Sequence, residues 1–163
     1  MPRALCPGTF DPVTAGHLEV VERAARIFGE VVVAVAASPE KGGGPLFSLD
    51  ERIAFIAEAV AHLPNVSVRS FDTLLVGLAR ELDAKVVIKG LRAVSDFEHE
   101  FQMAQLNYRL APDVDTVFIM ASPEHMYLSS SAVKEIAGHG GSVRGLVPDT
   151  VAEALSRRLQ QAP

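Results

Sequence analysis

"RALCPGTFDPVTAGHLEVVERAARIFGEVVVAVAA", residues 3–37, decides how this chain folds. Two strand-like runs, RALCP (3–7) and EVVVAVAA (30–37), bracket a helical segment, 16–28, with Val20, Val21, Ala24, Ala25 and Phe28 on one side. The second run is uninterrupted Val and Ala, the pattern of a strand covered on both faces. Two such strands joined through a helix lie parallel, with a right-handed crossover. Working outward, VSVRSF (66–71), KVVIK (85–89) and DTVFIM (115–120) read as further strands. Helical patterns fall at 48–61, 73–82, 95–109, 131–137 and 148–159. Ser48 with Glu51, and Ser95 with Glu98, have capping-box spacing, and Pro148 suits a first helical turn. The 48–61 helix is expected to bury Ile53, Ile56 and Val60. The alternation predicts an α/β fold: a doubly wound, Rossmann-like, five-stranded parallel sheet with helices on both faces. One domain covering 1–163 is expected, since no linker, repeat or low-complexity tract interrupts the pattern.

Composition narrows the function. Of 163 residues, 48% are hydrophobic and 21% charged, an ordinary globular balance. A net charge of −5 argues against a nucleic-acid partner, which needs broad basic surface. A small anion in a cleft is still allowed, because a few focused cations outweigh the global sign there. The longest apolar run, 31–37, is far short of the ~20 residues a bilayer requires, so no membrane partner is expected. Cys6 is the single cysteine, which rules out internal disulfides and cysteine-rich zinc sites. With no basic-then-apolar leader ahead of the first strand, a cytoplasmic location is expected, and NVS at Asn65 is read as a chance glycosylation match.

Ligands of such sheets bind beyond the C-terminal strand ends, near the switch in strand order. The loops after residues 7, 37, 71, 89 and 120 are therefore the place to look. Several helices in this sequence carry acids in the first turn, which complement the positive end of the helix dipole: Asp50 and Glu51, Asp96 and Glu98, Asp149. Two others break this habit. The helix opening at 14–17 has no acid until Glu19, and the one opening at SSSAVK (129–134) has none until Glu135. Either the threonine and serines only cap their own helices, or the free N–H groups await an outside anion. Two bare tips on one sheet edge favour phosphate binding. The P-loop, GxGxxG, GxSxG and HExxH motifs are all absent.

GTFDPVTAGH (8–17) and LSSSAVK (128–134) resemble the two motifs of the HxGH nucleotidyltransferases, with Thr14 in place of the first histidine. With ASPEK (37–41), KGLRAVSDFEHE (89–100) and the chain length, the resemblance is to the bacterial phosphopantetheine adenylyltransferase family. It runs from about residue 5 to the last helix. It implies transfer of AMP from ATP to 4'-phosphopantetheine, giving dephospho-CoA and pyrophosphate by direct attack, with Mg2+ carried mainly on the phosphates. It also implies a cytoplasmic homohexamer with coenzyme A as a feedback ligand. The apolar helix containing Phe97, Phe101, Ala104 and Tyr108 is one candidate interface, unless that stripe packs on its own sheet.

By the same resemblance, His17, in a first helical turn, stabilises the transition state, and its location is expected to depress its pKa. Thr9 contacts both substrates and Phe10 offers main chain to ATP. Lys41 bridges phosphates from the KGGGP loop. Gly90, Leu91 and Arg92 form an ATP-binding turn, with Arg92 catalytic alongside His17 and Lys41. Lys89 meets the phosphopantetheine phosphate, and Leu75 makes a substrate-side main-chain contact. The segment His125, Met126, Tyr127, Leu128, Ser129, Ser130 and Ser131 wraps the nucleotide, with stacking by His125 left open. Glu100 matches an ATP-side position or belongs to a solvated face. Asp11 is either a magnesium ligand or a holder of its own loop. Two rival readings are a superfamily member with another acceptor, such as nicotinate mononucleotide or glycerol phosphate, and an ATP-binding sensor without catalysis.

Overall fold

The computed structural model describes residues 1–37 and 44–160. Five strands form one parallel sheet: β1 (Arg3–Gly8), β2 (Glu30–Ala36), β3 (Val66–Phe71), β4 (Val86–Leu91) and β5 (Asp115–Met120), in the order β3-β2-β1-β4-β5. Helices connect them: α1 (Ala15–Ile27), α2 (Leu49–Ala59), α3 (Leu75–Glu81) and α4 (Val94–Leu110), with α5 (Ser130–Gly138) and α6 (Asp149–Gln160) after β5. This is the doubly wound α/β fold expected.

β2 shows why the Val/Ala run had to be central. Its residues Val31 to Val35 are all at most 2% exposed. Successive side chains point to opposite faces. Val31, Val33 and Val35 join Ala4, Val21 and Ile56 in one core, while Val32 and Ala34 join Leu5, Val76 and Val87 in the other. Asn65 has a structural use: its amide donates to the carbonyls of Ala25 and Phe28, tying the end of α1 to the turn before β3.

Three expectations need correction. α4 opens one residue earlier than predicted, with Ala93 at the cap and no side-chain cap bond, so Ser95 lies inside the first turn and is no N-cap. Pro148 precedes α6, where its carbonyl accepts the amide of Ala152. In α2 Ile56 and Val60 are buried and Ile53 only partly so, while Arg52, unforeseen, is among the most buried side chains of the protein. The α4 stripe faces outward: Phe97, Phe101 and Tyr108 are 43%, 48% and 52% exposed, with Phe97 meeting Phe118 of the sheet edge-on.

The sheet is unevenly zipped. β1 pairs with β2 along its whole length, from Arg3↔Glu30 to Gly8↔Val35, and β4 pairs with β5 from Val86↔Asp115 to Leu91↔Met120. β1 and β4 share only Ala4↔Val86 and Leu5↔Val87. Beyond that point they part, at the position where strand order reverses.

Candidate active site

A cleft of about 510 Å³ fills the parted seam. Cys6, Pro7 and Gly8 of β1 and Ile88, Lys89 and Gly90 of β4 form its floor, and the first turns of α1, α4 and α5 border it. Two glycines make the close approaches possible. A Cβ on Gly8 would meet the Phe10 ring at 2.9 Å, and one on Gly90 would meet Val20 Cγ2 of α1 at 2.9 Å. Phe10 turns the chain through the left-handed region, with φ at 52°, which a bulky residue adopts only when its surroundings enforce it.

His17 is held on three sides. Thr14, 1% exposed, caps α1: its hydroxyl accepts the His17 amide at 3.3 Å, and its own amide donates to His17 Nδ1 at 3.0 Å. The Phe10 ring meets the imidazole edge-on, with centroids 5.1 Å apart. Because Nδ1 accepts a hydrogen bond, the ring proton of the neutral form sits on Nε2, the nitrogen left for the cleft. Burial first, then the charges of Arg92 and Lys89, bring the His17 pKa down from 6.5 to about 4. The depression was expected, but burial leads it.

The cations of the cleft are braced by acids. Arg92 grips Asp96 with Nε and Nη2 at 3.0 and 3.3 Å, and donates through Nη1 to the Leu128 carbonyl at 2.8 Å. It therefore links the starts of α4 and α5. Lys89 pairs with Glu100 at 3.3 Å, which gives Glu100 a physical place that sequence left open. His125 Nδ1 lies 2.6 Å from Glu19, and the Ser122 hydroxyl donates to the same carboxylate at 2.9 Å. Burial opposes charge on Glu19, yet the bonds from His125 and Ser122 hold its carboxyl below the usual range. Sequence missed Asp96 and Glu19 as parts of the site. The i,i+4 spacing of Arg92 and Asp96 was a usable signal; nothing local could join Glu19 to a residue 106 positions away.

Other expected residues are placed as follows. Phe10, His17, Lys89, Gly90, Arg92, Glu100, His125, Leu128, Ser129, Ser130 and Ser131 line the cleft. Thr9, Leu75, Leu91, Met126 and Tyr127 do not: Leu91 is 6% exposed in the core, Leu75 opens α3, and Tyr127 is 84% exposed on the surface. Lys41 lies outside the described residues. The Ser129 hydroxyl caps its own helix by accepting the Ala132 amide, and the Ser130 hydroxyl donates to the Pro12 carbonyl at 2.8 Å. What remains of the α5 tip is the amides of Ser130 and Ser131, which have no intrahelical partner.

Asp11 holds its loop. Its carboxylate accepts the amides of Phe47 and Leu46 at 2.9 and 2.8 Å and the Lys134 ammonium at 2.9 Å. Burial opposes its charge, but these donors outweigh that and keep the carboxyl below the ordinary value. Its oxygens are thus taken, and among the described residues no group of three His, Cys, Asp or Glu side chains is placed to hold a metal ion.

A family model described as cytidylyltransferase-like matches residues 5–136. A phosphopantetheine adenylyltransferase of Gloeobacter violaceus is 53% identical over 160 residues, covering 98% of this chain and 98% of that protein. One of the same name from Clostridium tetani is 49% identical over 155 residues, covering 95% of this chain and 96% of its own length.

Proposed function

This chain belongs to the phosphopantetheine adenylyltransferase family, among the cytidylyltransferase-like proteins, and we infer from its cleft how it moves AMP from ATP to 4'-phosphopantetheine, giving dephospho-CoA and pyrophosphate. The observation that carries the mechanism is the parted β1–β4 seam, bordered by two helix starts without first-turn acids and by a neutral His17.

A phosphate oxygen of 4'-phosphopantetheine attacks the α-phosphorus of ATP in line, the bond from that phosphorus to the bridging oxygen breaks, and pyrophosphate leaves with the electron pair. The acceptor is already nucleophilic, so the protein has to align and to neutralise. His17 donates its Nε2 hydrogen to a non-bridging oxygen of the reacting phosphate, where charge builds. The first-turn amides of Gly16 in α1 and of Ser130 and Ser131 in α5, the ones left without a partner among the described residues, add fixed donors. Arg92 and Lys89, braced by Asp96 and Glu100, supply charge at set positions, and Lys41 is assigned to the phosphates by resemblance. Supporting direct transfer, burial pushes the Cys6 thiol on the cleft floor up to about 12, so it stays protonated and poorly nucleophilic. Mg2+ is assigned to the phosphates of ATP, whose charge it would offset.

The outward stripe of α4, with Phe97, Phe101, Leu106 and Tyr108 all more than 40% exposed, supports assembly into a homohexamer. The expected mass by light scattering is then six times 17.4 kDa, and Phe101→Asp should shift it downward. No described helix is long and apolar enough to cross a membrane, and a cytoplasmic location is the proposal. Coenzyme A, sharing most of its structure with the product, is assigned as a feedback ligand of this cleft. The deciding experiment measures pyrophosphate release from ATP across a panel of acceptors: 4'-phosphopantetheine should be the preferred acceptor, and a lack of turnover with it rejects the assignment.

A further inference from the structure

α2 carries a guanidinium into the interior. Arg52 is 1% exposed, and its partners among the described residues are all main-chain carbonyls. Nε donates to Phe47 at 3.2 Å, and Nη1 donates to Thr9 at 2.8 Å and to Ala36 at 2.9 Å. Burying a guanidinium is costly, and an apolar side chain of similar volume would fill the space as well. What an apolar residue cannot do is grip three carbonyls from three segments: the loop after β1, the end of β2 and the lead into α2. Arginine suits this because its planar donors are fixed in direction.

The Thr9 carbonyl belongs to the peptide that enters Phe10, the residue held at φ 52°. Anchoring that oxygen fixes the peptide plane where the chain is least willing to follow it. The Phe10 ring then lies against Gly8 and meets the His17 imidazole edge-on. We propose that Arg52 is a positioning residue: by holding the Thr9–Phe10 peptide it sets the Phe10 ring, and through that ring the orientation of His17. The inference rests on the reading of His17 as the group that faces the reacting phosphate.

The test uses the full chain with Arg52→Lys, which keeps the charge but loses the fork, and Arg52→Met, which keeps the volume. The 15N signals of the His17 ring, identified by their loss in His17→Gln, report its tautomer directly. The wild type should show one neutral form with the proton on Nε2. In both variants the two tautomers should exchange, and kcat should fall about tenfold or more while KM for ATP changes by less than about twofold. Unchanged His17 signals in both variants, or loss of cooperative thermal unfolding in both, would make Arg52 purely structural and overturn the proposal. The ring signals do not depend on turnover. Altered signals in a protein whose wild type fails to use 4'-phosphopantetheine would therefore count against the functional assignment and leave the positioning role standing.

Discussion

Helices α1 and α2 begin with the same device and put it to different uses. In α2 the Ser48 hydroxyl accepts the Glu51 amide, and the Glu51 carboxylate accepts the Ser48 amide at 2.8 Å. In α1 Thr14 stands for the serine, and His17 Nδ1 stands for the carboxylate. Both boxes satisfy the same orphan amides. Only the first also cancels the positive end of its helix, since Glu51 is an anion whose carboxyl the Ser48 amide, against some burial, and Arg158 together keep below its ordinary value. A neutral imidazole closes the box and leaves the dipole uncompensated, with a second nitrogen directed elsewhere. One cap finishes a helix; the other leaves the positive end of its helix uncompensated at the cleft.

The largest expected effect breaks the comparison at the imidazole. His17→Ala should lower turnover by about 10³-fold or more while calorimetry still finds ATP bound in the micromolar-to-millimolar range. Turnover that survives the substitution would refute the role given to His17.

Next in size is the pH dependence of stability. Unfolded, His17 takes a proton below about pH 6.5; folded, it stays neutral to about pH 4. Between these values the unfolded state binds more protons, so stability falls as the pH is lowered through that window and levels off below it. The ceiling is about 3 kcal/mol, at ~1.4 kcal/mol per unit. For Glu51, held below its ordinary 4.5, stability is present above that pH and is lost only as the pH falls further, through the depressed value. Thermal melts from pH 7 to 4 should therefore show an acid loss that His17→Gln abolishes and Glu51→Gln does not.

The smallest effect sharpens the contrast between the two caps. Ser48→Ala and Thr14→Ala should each cost about 1 kcal/mol of stability, seen as a shift of about 2–4 °C in Tm. Their kinetics should diverge. Ser48→Ala should leave turnover within about twofold, while Thr14→Ala, which removes the hydroxyl 3.1 Å from His17 Nδ1 and leaves the backbone amide alone to hold the ring, should lower kcat about tenfold. Equal kinetic effects would mean that the α1 cap is only a cap.

Much of the fold was legible because its signals are local. β3 and β5 begin and end where the pattern puts them, and β2 stops one residue short, because Val/Ala runs and turn residues report strands directly. β4 runs two residues further than expected, through Gly90 and Leu91, because β5 offers it a ladder that no local pattern announces. The reversed boxes of α4 and α1 mark the limit of cap reading. Ser95–Glu98 had the spacing and is not the cap, while Thr14–His17 lacks the acid and closes one. Arg52 sits beside a predicted core face, and nothing in its neighbourhood foretold burial, since its three partners among the described residues lie up to 43 residues away.

By itself the sequence determined the alternation of strands and helices, the central place of β2, the bare starts of α1 and α5, and the motif residues that mark the family. These depend on periodicity, turn chemistry and the identities of neighbouring residues, all of which act over a few positions. Only the tertiary structure decided that β1 and β4 part after two pairs, that Lys89 and Arg92 each have an acid beside them, and that an arginine of α2 stands behind the loop that carries Phe10. Those outcomes follow from which distant segments meet once the sheet has closed, and ladder pairing, desolvation and charge pairing take their values only from that encounter.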